Sequence, residues 1–150
     1  LGGALANTLL LANGYDVKQS LVERDLVDTV KDLLSDKLLL PSDMVWSRDR
    51  ILDIGPNTVT AYTTALQDAK TIIWNGPMGV FEDPAFAAGT LGIAKAVAAS
   101  GAYSVLGGGE TVSAIHQAGL QDKVSFISTG GGAMLEFLEC KQLPGIVCLN

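Results

Sequence analysis

The chain has little of what most catalytic and binding motifs are built from. It contains one histidine, His116, and two cysteines, Cys140 and Cys148, so a histidine-rich metal centre and a disulfide framework are both excluded. The cysteines have neither zinc-site nor thioredoxin-like spacing and read as reduced thiols of an intracellular protein. No apolar run reaches the roughly 18 residues a membrane span needs. Even the apolar stretch from Thr71 to Phe81 is broken by Asn75, Gly76, Pro77 and Gly79. Basic residues are outnumbered, 10 against 16 acidic, and form no run, which argues against a nucleic-acid surface, because that affinity comes from neutralising phosphates with Lys and Arg. Small phosphate ligands stay open, since backbone amides, helix N-termini and a metal ion can all carry the positive charge.

What is present is apolar material. Of 150 residues, 48% are hydrophobic and 17% charged, with a formal charge of -6, which excludes disorder and collagen and describes one globular domain with its own core. There is no charged leader or signal-cleavage pattern. The chain opens on Leu1-Gly2-Gly3-Ala4 without an initiator Met, and a Gly-Gly turn with no strand leading into it leads to the expectation that it is a piece of a longer chain.

Along the sequence, Ala4 to Asn13 has helical composition, with Gly14 placed as a C-terminal cap. Ser20-Leu21-Val22-Glu23 is a capping-box pattern opening a helix on which Val22, Leu26, Val30, Leu33 and Leu34 form one apolar face. Leu38 to Leu40 and Met44 to Trp46 read as short strands, and Ile51 to Pro56 as an apolar segment ending in a turn. From Thr58 the order becomes regular: helix to Leu66, strand Thr71–Asn75, helix Thr90–Ala99, strand Tyr103–Leu106, helix to Ala118, strand Ser125–Ser128 and helix to Glu139. Alternation at this spacing predicts right-handed crossovers and an α/β, three-layer Rossmann-like domain, its mainly parallel sheet covered by helices on both faces. The strands are expected to be continuously apolar for that reason.

Three successive strands end in glycine-rich loops: Asn75-Gly76-Pro77-Met78-Gly79, Gly107-Gly108-Gly109 and Gly130-Gly131-Gly132. All fall at the carboxyl ends of strands, where open α/β sheets bind ligands. Glycine lets amides approach an anion closely, and the helix that follows offers unpaired N–H groups and a positive dipole end. Familiar fingerprints are absent. There is no Gly-Lys dipeptide for a Walker loop, no G-x-G-x-x-G, no nucleophile elbow and no H-E-x-x-H. An NAD-dependent dehydrogenase would need the second of these and is set aside.

The segment Trp74-Asn75-Gly76-Pro77-Met78-Gly79-Val80-Phe81-Glu82 resembles the W-N-G-P-x-G-V-F-E signature of the phosphoglycerate kinases. Leu52 to Pro56, Gly107 to Thr111, Ser128 to Ala133 and Leu135 to Gly145 follow in that family's order and spacing. Gly2 to Ala6 and Ser20 to Asp25 are similar to its upstream stretch, so the likeness covers nearly the whole chain.

The resemblance implies the C-terminal, nucleotide-binding domain of a two-domain cytoplasmic enzyme of glycolysis, spanning residues 1–150 and incomplete at its N-terminal side. That enzyme transfers a phosphoryl group reversibly between 1,3-bisphosphoglycerate and Mg-ADP, giving 3-phosphoglycerate and ATP. By the same resemblance, Gly2, Gly3, Pro77 and Val80 line the adenine site and Glu82 accepts from the ribose hydroxyls. Asn75 approaches the phosphates, Gly108, Gly109 and Thr111 cradle them, and Gly109, Gly131 and Gly132 give amides to the transferring group. Glu110 stands where the family has Asp, as the carboxylate for nucleotide-bound Mg²⁺; Ala4 replaces a third glycine. The family's basic patch for the acyl phosphate, on its N-terminal domain, and a lysine ahead of the first Gly-Gly are missing. This chain alone is therefore expected to be inactive in transfer, and the parent is expected to be a monomer without nucleic-acid or membrane partners; the oligomeric state of the chain alone is left open, since apolar surface exposed by missing strands is a route to self-association. The competing expectation is a non-catalytic nucleotide-binding or interaction module. His116 reads as a structural or surface residue, Trp46 and Trp74 as packing residues, and Asp53 as the cap or brace of a turn with no catalytic role.

Overall fold

A computed structural model describes residues 1–149. The chain begins with helix α1 (Gly3–Ala12), closed by Gly14 in the left-handed conformation at φ 84°, as its position predicts. An antiparallel hairpin follows, β1 (Met44–Ser47) and β2 (Arg50–Ile54), and then helix α3 (Pro56–Leu66), with the short helix α2 (Val27–Lys31) between α1 and β1. The regular part is β3 (Thr71–Asn75), α4 (Ala88–Ala99), β4 (Tyr103–Gly107), α5 (Gly109–Gln117), β5 (Phe126–Ser128) and α6 (Gly132–Leu138), closed by α7 (Pro144–Val147). The three strands form one parallel sheet in the order β3-β4-β5, so the alternation read from Thr58 onward is the observed architecture.

One face of that sheet carries the core. Ile72, Trp74 and Leu106 point into a cluster with Ile54 of β2, Tyr62 of α3, Ile93, Ala94 and Val97 of α4 and Ile115 of α5, all buried. The other face is covered at its carboxyl end by α6, whose Met134 lies so close over Gly107 that a Cβ there would collide with it. Farther down, Ile73, Tyr103 and Phe126 on this second face are about half exposed, so burial alternates along β3 where continuous burial was expected.

Two sequence expectations give way to tertiary contacts. The Ser20 capping box does not form: the Ser20 hydroxyl accepts from the Ile51 amide at 2.8 Å and the Glu23 amide donates to Thr8 Oγ1 at 3.0 Å. With both cap groups spent on other elements, only a single 3₁₀ turn (Arg24–Leu26) and the five residues of α2 are helical. Leu38 to Leu40 form no strand, because no neighbouring strand among the described residues offers them a ladder.

The hairpin is tied to α3 by Asp43. Pro56 occupies the first turn of α3, where its missing N–H costs nothing, and Gly55 at the cap has no side chain to offer. The Asp43 carboxylate takes over the capping: it accepts from the Asn57 amide at 3.0 Å and the Thr58 amide at 2.7 Å, and the Thr58 hydroxyl donates to it at 2.6 Å. Burial pushes this carboxyl up, yet the hydrogen bonds outweigh it and hold the group below its ordinary value of 3.8. Its stabilisation is therefore complete above that value and fades as pH falls through the lower folded one. Asp43→Ala is expected to cost about 1 kcal/mol, the usual magnitude for a lost helix cap. Urea unfolding at pH 7 and again near pH 3 measures it: the gap between wild type and variant should narrow at the acid end.

Candidate functional site

A cavity of about 1150 Å³ opens beside the carboxyl end of β3. Its wall includes the loop that follows β3, and every bend of that loop is fastened to a different element. The buried Trp74 indole N–H donates to the Gly76 carbonyl at 2.7 Å, and the Gly76 amide donates to Thr111 Oγ1 of α5 at 2.7 Å. The Met78 amide donates to Thr90 Oγ1 of α4 at 3.0 Å, while the Met78 carbonyl accepts from the Gly3 amide at the start of α1 at 3.0 Å. The Val80 amide donates to the Leu52 carbonyl of β2 at 2.8 Å. Glycine is required where the loop passes closest: a Cβ at Gly79 would run into the Leu52 carbonyl and Asp53, and one at Gly2 would meet Met78 at 2.8 Å.

Thr90 and Thr111 are fully buried, and their hydroxyls satisfy loop amides that would otherwise be orphaned. Asp53 is the third buried anchor. Its carboxylate accepts from the Gly89 amide near the start of α4 at 2.6 Å and from the Ile54 amide at 2.9 Å, so it braces more than the turn assigned to it. Burial pushes this carboxyl above its ordinary value, and the two amide hydrogen bonds pull in the opposite direction.

Seven of the residues singled out from the sequence share this cavity: Gly2, Gly3, Asn75, Pro77, Val80, Glu82 and Glu110. Glu82 and Glu110 are both exposed, and neither has an ion-pair partner among the described residues. The phosphate-loop residues are placed differently. Thr111 lies beneath the loop as its anchor, and Asn75 lies over Gly108, whose φ of 86° strains any side chain and where a Cβ would crowd Asn75 Oδ1 at 3.1 Å. Gly109, Gly131 and Gly132 stand outside the cavity wall, and a Cβ on any of them would touch nothing within 4 Å. Packing thus accounts for glycine at 107 and 108 and does not account for it at 109 and 132, which open α5 and α6. His116 is exposed at the end of α5 and Trp74 is a core residue, as read from the sequence; Trp46 is half-buried under the Lys18 ammonium, 5.4 Å from its ring centre. Sequence reasoning missed Thr90 altogether, because a threonine one turn into a helix carries no signal of the amide it will meet.

The described residues contain no group of three or more metal-ligand side chains. A magnesium ion arriving on nucleotide phosphates does not require one, since Mg²⁺ is usually held by one or two carboxylates together with phosphate oxygens and waters. The unpaired Glu110 carboxylate, at the cavity edge on the first turn of α5, fits that demand.

Fold and cavity together define an open-sheet α/β protein with a cavity at the carboxyl edge of its strands, the edge where such sheets bind ligands. The sequence model of the phosphoglycerate kinase family matches residues 1–141, and the chain belongs to that family. It is 47% identical to the phosphoglycerate kinase of Desulfosudis oleivorans and 49% identical to that of Herpetosiphon aurantiacus, in each case along its full length and over 44% of the relative. The solved phosphoglycerate kinase of Coxiella burnetii superimposes with a TM-score of 0.90 at 42% identity, over 99% of this chain and 45% of that one. The enzyme of Pyrococcus horikoshii gives 0.85 at 33% identity, over 99% and 44%. The chain thus spans less than half the length of the relatives it matches.

Thr90→Val keeps the shape of the side chain and leaves the Met78 amide without its acceptor. It is expected to cost about 1–3 kcal/mol, the penalty of a buried donor left unpaired, measurable as a lower urea midpoint at unchanged slope.

Proposed function

We propose that this chain is the nucleotide-binding domain of a phosphoglycerate kinase that works in the cytoplasm as a monomer and transfers a phosphoryl group between 1,3-bisphosphoglycerate and ADP. The observation that carries the reading is the pinned loop, which brings Asn75, Pro77, Val80 and Glu82 onto one cavity wall with Gly2 and Gly3. On this reading the apolar faces of Pro77 and Val80 and the bare backbone of Gly2 and Gly3 accept the base, and the Glu82 carboxylate accepts from the ribose hydroxyls. Asn75, Gly108 and Gly109 direct the phosphates toward the start of α5, with Thr111 fixing the loop from below. Gly131 and Gly132 supply open amides to the transferring group, which suits a reaction whose catalysis is positioning and charge neutralisation. Bound magnesium would neutralise phosphate charge, and Glu110 is the residue that would hold it. The acyl phosphate would bind to a basic patch outside residues 1–150, and closure of the two domains would exclude water, so these residues alone should bind nucleotide without transferring phosphate.

Calorimetric titration with ADP, with and without magnesium and with NAD as control, tests this. Magnesium-enhanced ADP binding without NAD binding is expected. Glu82→Ala should weaken ADP about tenfold or more in both conditions, the scale of a lost charge-assisted hydrogen bond. Glu110→Ala should remove chiefly the enhancement by magnesium. Equal ADP affinity in all three proteins would overturn these roles.

A further inference from the structure

Three backbone segments meet around the loop that follows β3, and the hydrogen bonds between them close into a ring. The Met78 amide donates to Thr90 Oγ1 at 3.0 Å, and the Val80 amide donates to the Leu52 carbonyl at 2.8 Å. Asp53 follows Leu52 and Gly89 precedes Thr90, and the Asp53 carboxylate accepts from the Gly89 amide at 2.6 Å. The circuit therefore runs from Met78 to Thr90 and Gly89, across to Asp53 and Leu52, and back to Val80. Only two side chains take part, those of Asp53 and Thr90, and these residues are 1% and 0% exposed.

The ring is closely packed. Gly79 lies between Met78 and Val80, where a Cβ would run into the Leu52 carbonyl and Asp53, and a Cβ at Gly89 would run into the Asp53 carboxylate and Ile54. Helix α4 needs that carboxylate for its own sake, because Ala87 at its cap has no acceptor to offer and the Gly89 amide is one of the unpaired donors of a first turn. The other Asp53 oxygen accepts from the Ile54 amide at 2.9 Å, so both oxygens are committed. Met78 passes the constraint on. Its carbonyl accepts from the Gly3 amide at 3.0 Å, so the cavity residues Gly2 and Gly3 are held to the same ring as Pro77 and Val80.

We propose that this ring positions the base of the bound nucleotide, with Asp53 and Thr90 as its two positioning residues. The role rests on the nucleotide reading of the cavity and accounts for how the walls of that cavity keep their spacing. Both side chains act through Met78, Gly79 and Val80 and not through the ligand. With one link open, Met78 and Val80 are no longer tied to each other through α4 and β2. Gly2, Gly3, Pro77 and Val80 then lose their common reference, and the gap that a flat base fills is no longer set before the base arrives. A closed ring fails as a unit, so opening it at Asp53 or at Thr90 has the same consequence, and opening the second link adds little.

Calorimetric titration with ADP and magnesium, on variants checked for native circular dichroism, decides the matter. Asp53→Ala and Thr90→Val should each weaken ADP about fivefold or more, the affinity equivalent of one net hydrogen bond. The double variant should bind about as weakly as the weaker single one, short of the product of the two losses. Thr90→Ser keeps the hydroxyl and should bind as the wild type does, so the two Thr90 variants are decisive even where Asp53→Ala does not fold. Asp43→Ala lowers stability where the hairpin meets α3, outside the ring, and should leave ADP affinity unchanged; a loss confined to the ring variants separates positioning from stability at large. Folded ring variants with wild-type affinity, losses that multiply, or an equal loss in Asp43→Ala overturn the role of the ring and leave the nucleotide site standing. A folded wild type that binds no ADP overturns both readings.

Discussion

The structure depends on one constraint: the seven residues from Gly76 to Glu82 must cross the carboxyl edge of the sheet without a helix or strand of their own. A loop in that position carries amides and carbonyls that cannot be left bare where they are buried. They are satisfied by four separate elements, α1, β2, α4 and α5, through Gly3, Leu52, Thr90 and Thr111. The loop is therefore as rigid as the domain around it, and the cavity wall it forms is set before any ligand arrives. Preorganisation of this kind is where positioning catalysis obtains its advantage, since little ordering entropy remains to be lost on binding.

Asp53 shows what that rigidity costs. A carboxylate buried to this degree disfavours its own charge, and its raised pKa means that its contribution to stability declines as pH rises from the ordinary carboxylate range through the folded value. The group is nonetheless placed where β2, the start of α4 and the close pass of Gly79 converge, and its two oxygens satisfy amides of two different elements. Asparagine could serve only one of those amides with its single carbonyl oxygen and would turn an N–H donor toward the other. The charge is tolerated for the sake of two acceptors on one short side chain.

How much of this was legible in the sequence follows from how local each signal is. The alternation of strands and helices from Thr58 to Glu139 came through because periodicity and glycine punctuation act within a few residues, and the Gly14 cap did so for the same reason. The signature from Trp74 to Glu82 was legible because it is contiguous, and most of it lines one cavity. The Ser20–Glu23 pattern misled because its two cap groups meet Ile51 and Thr8, partners 31 and 15 residues away that no local pattern can announce. Leu38 to Leu40 misled in the opposite sense: three leucines suit a strand, but a strand exists only when another offers it a ladder. Thr90 and Asp43 act across 12 and 15 residues and were unreadable for the same reason.

Charge distribution completes the logic of the site. A chain with a formal charge of -6 is an unpromising receptor for phosphates if side chains must supply the attraction. Here the region around the glycine loops offers amides and the helix starts at Gly109 and Gly132. Amide dipoles attract an anion over short range only, within about the first turn of a helix, and so reward a phosphate that is correctly seated far more than one nearby. Glu82 and Glu110 sharpen the contrast, because each repels a bare phosphate yet suits a ligand that brings hydroxyls and a divalent cation with it. On the proposed reading, selectivity for a metal-bearing nucleotide over free phosphate would follow from the same acidic residues that make the chain look ill-suited to the task.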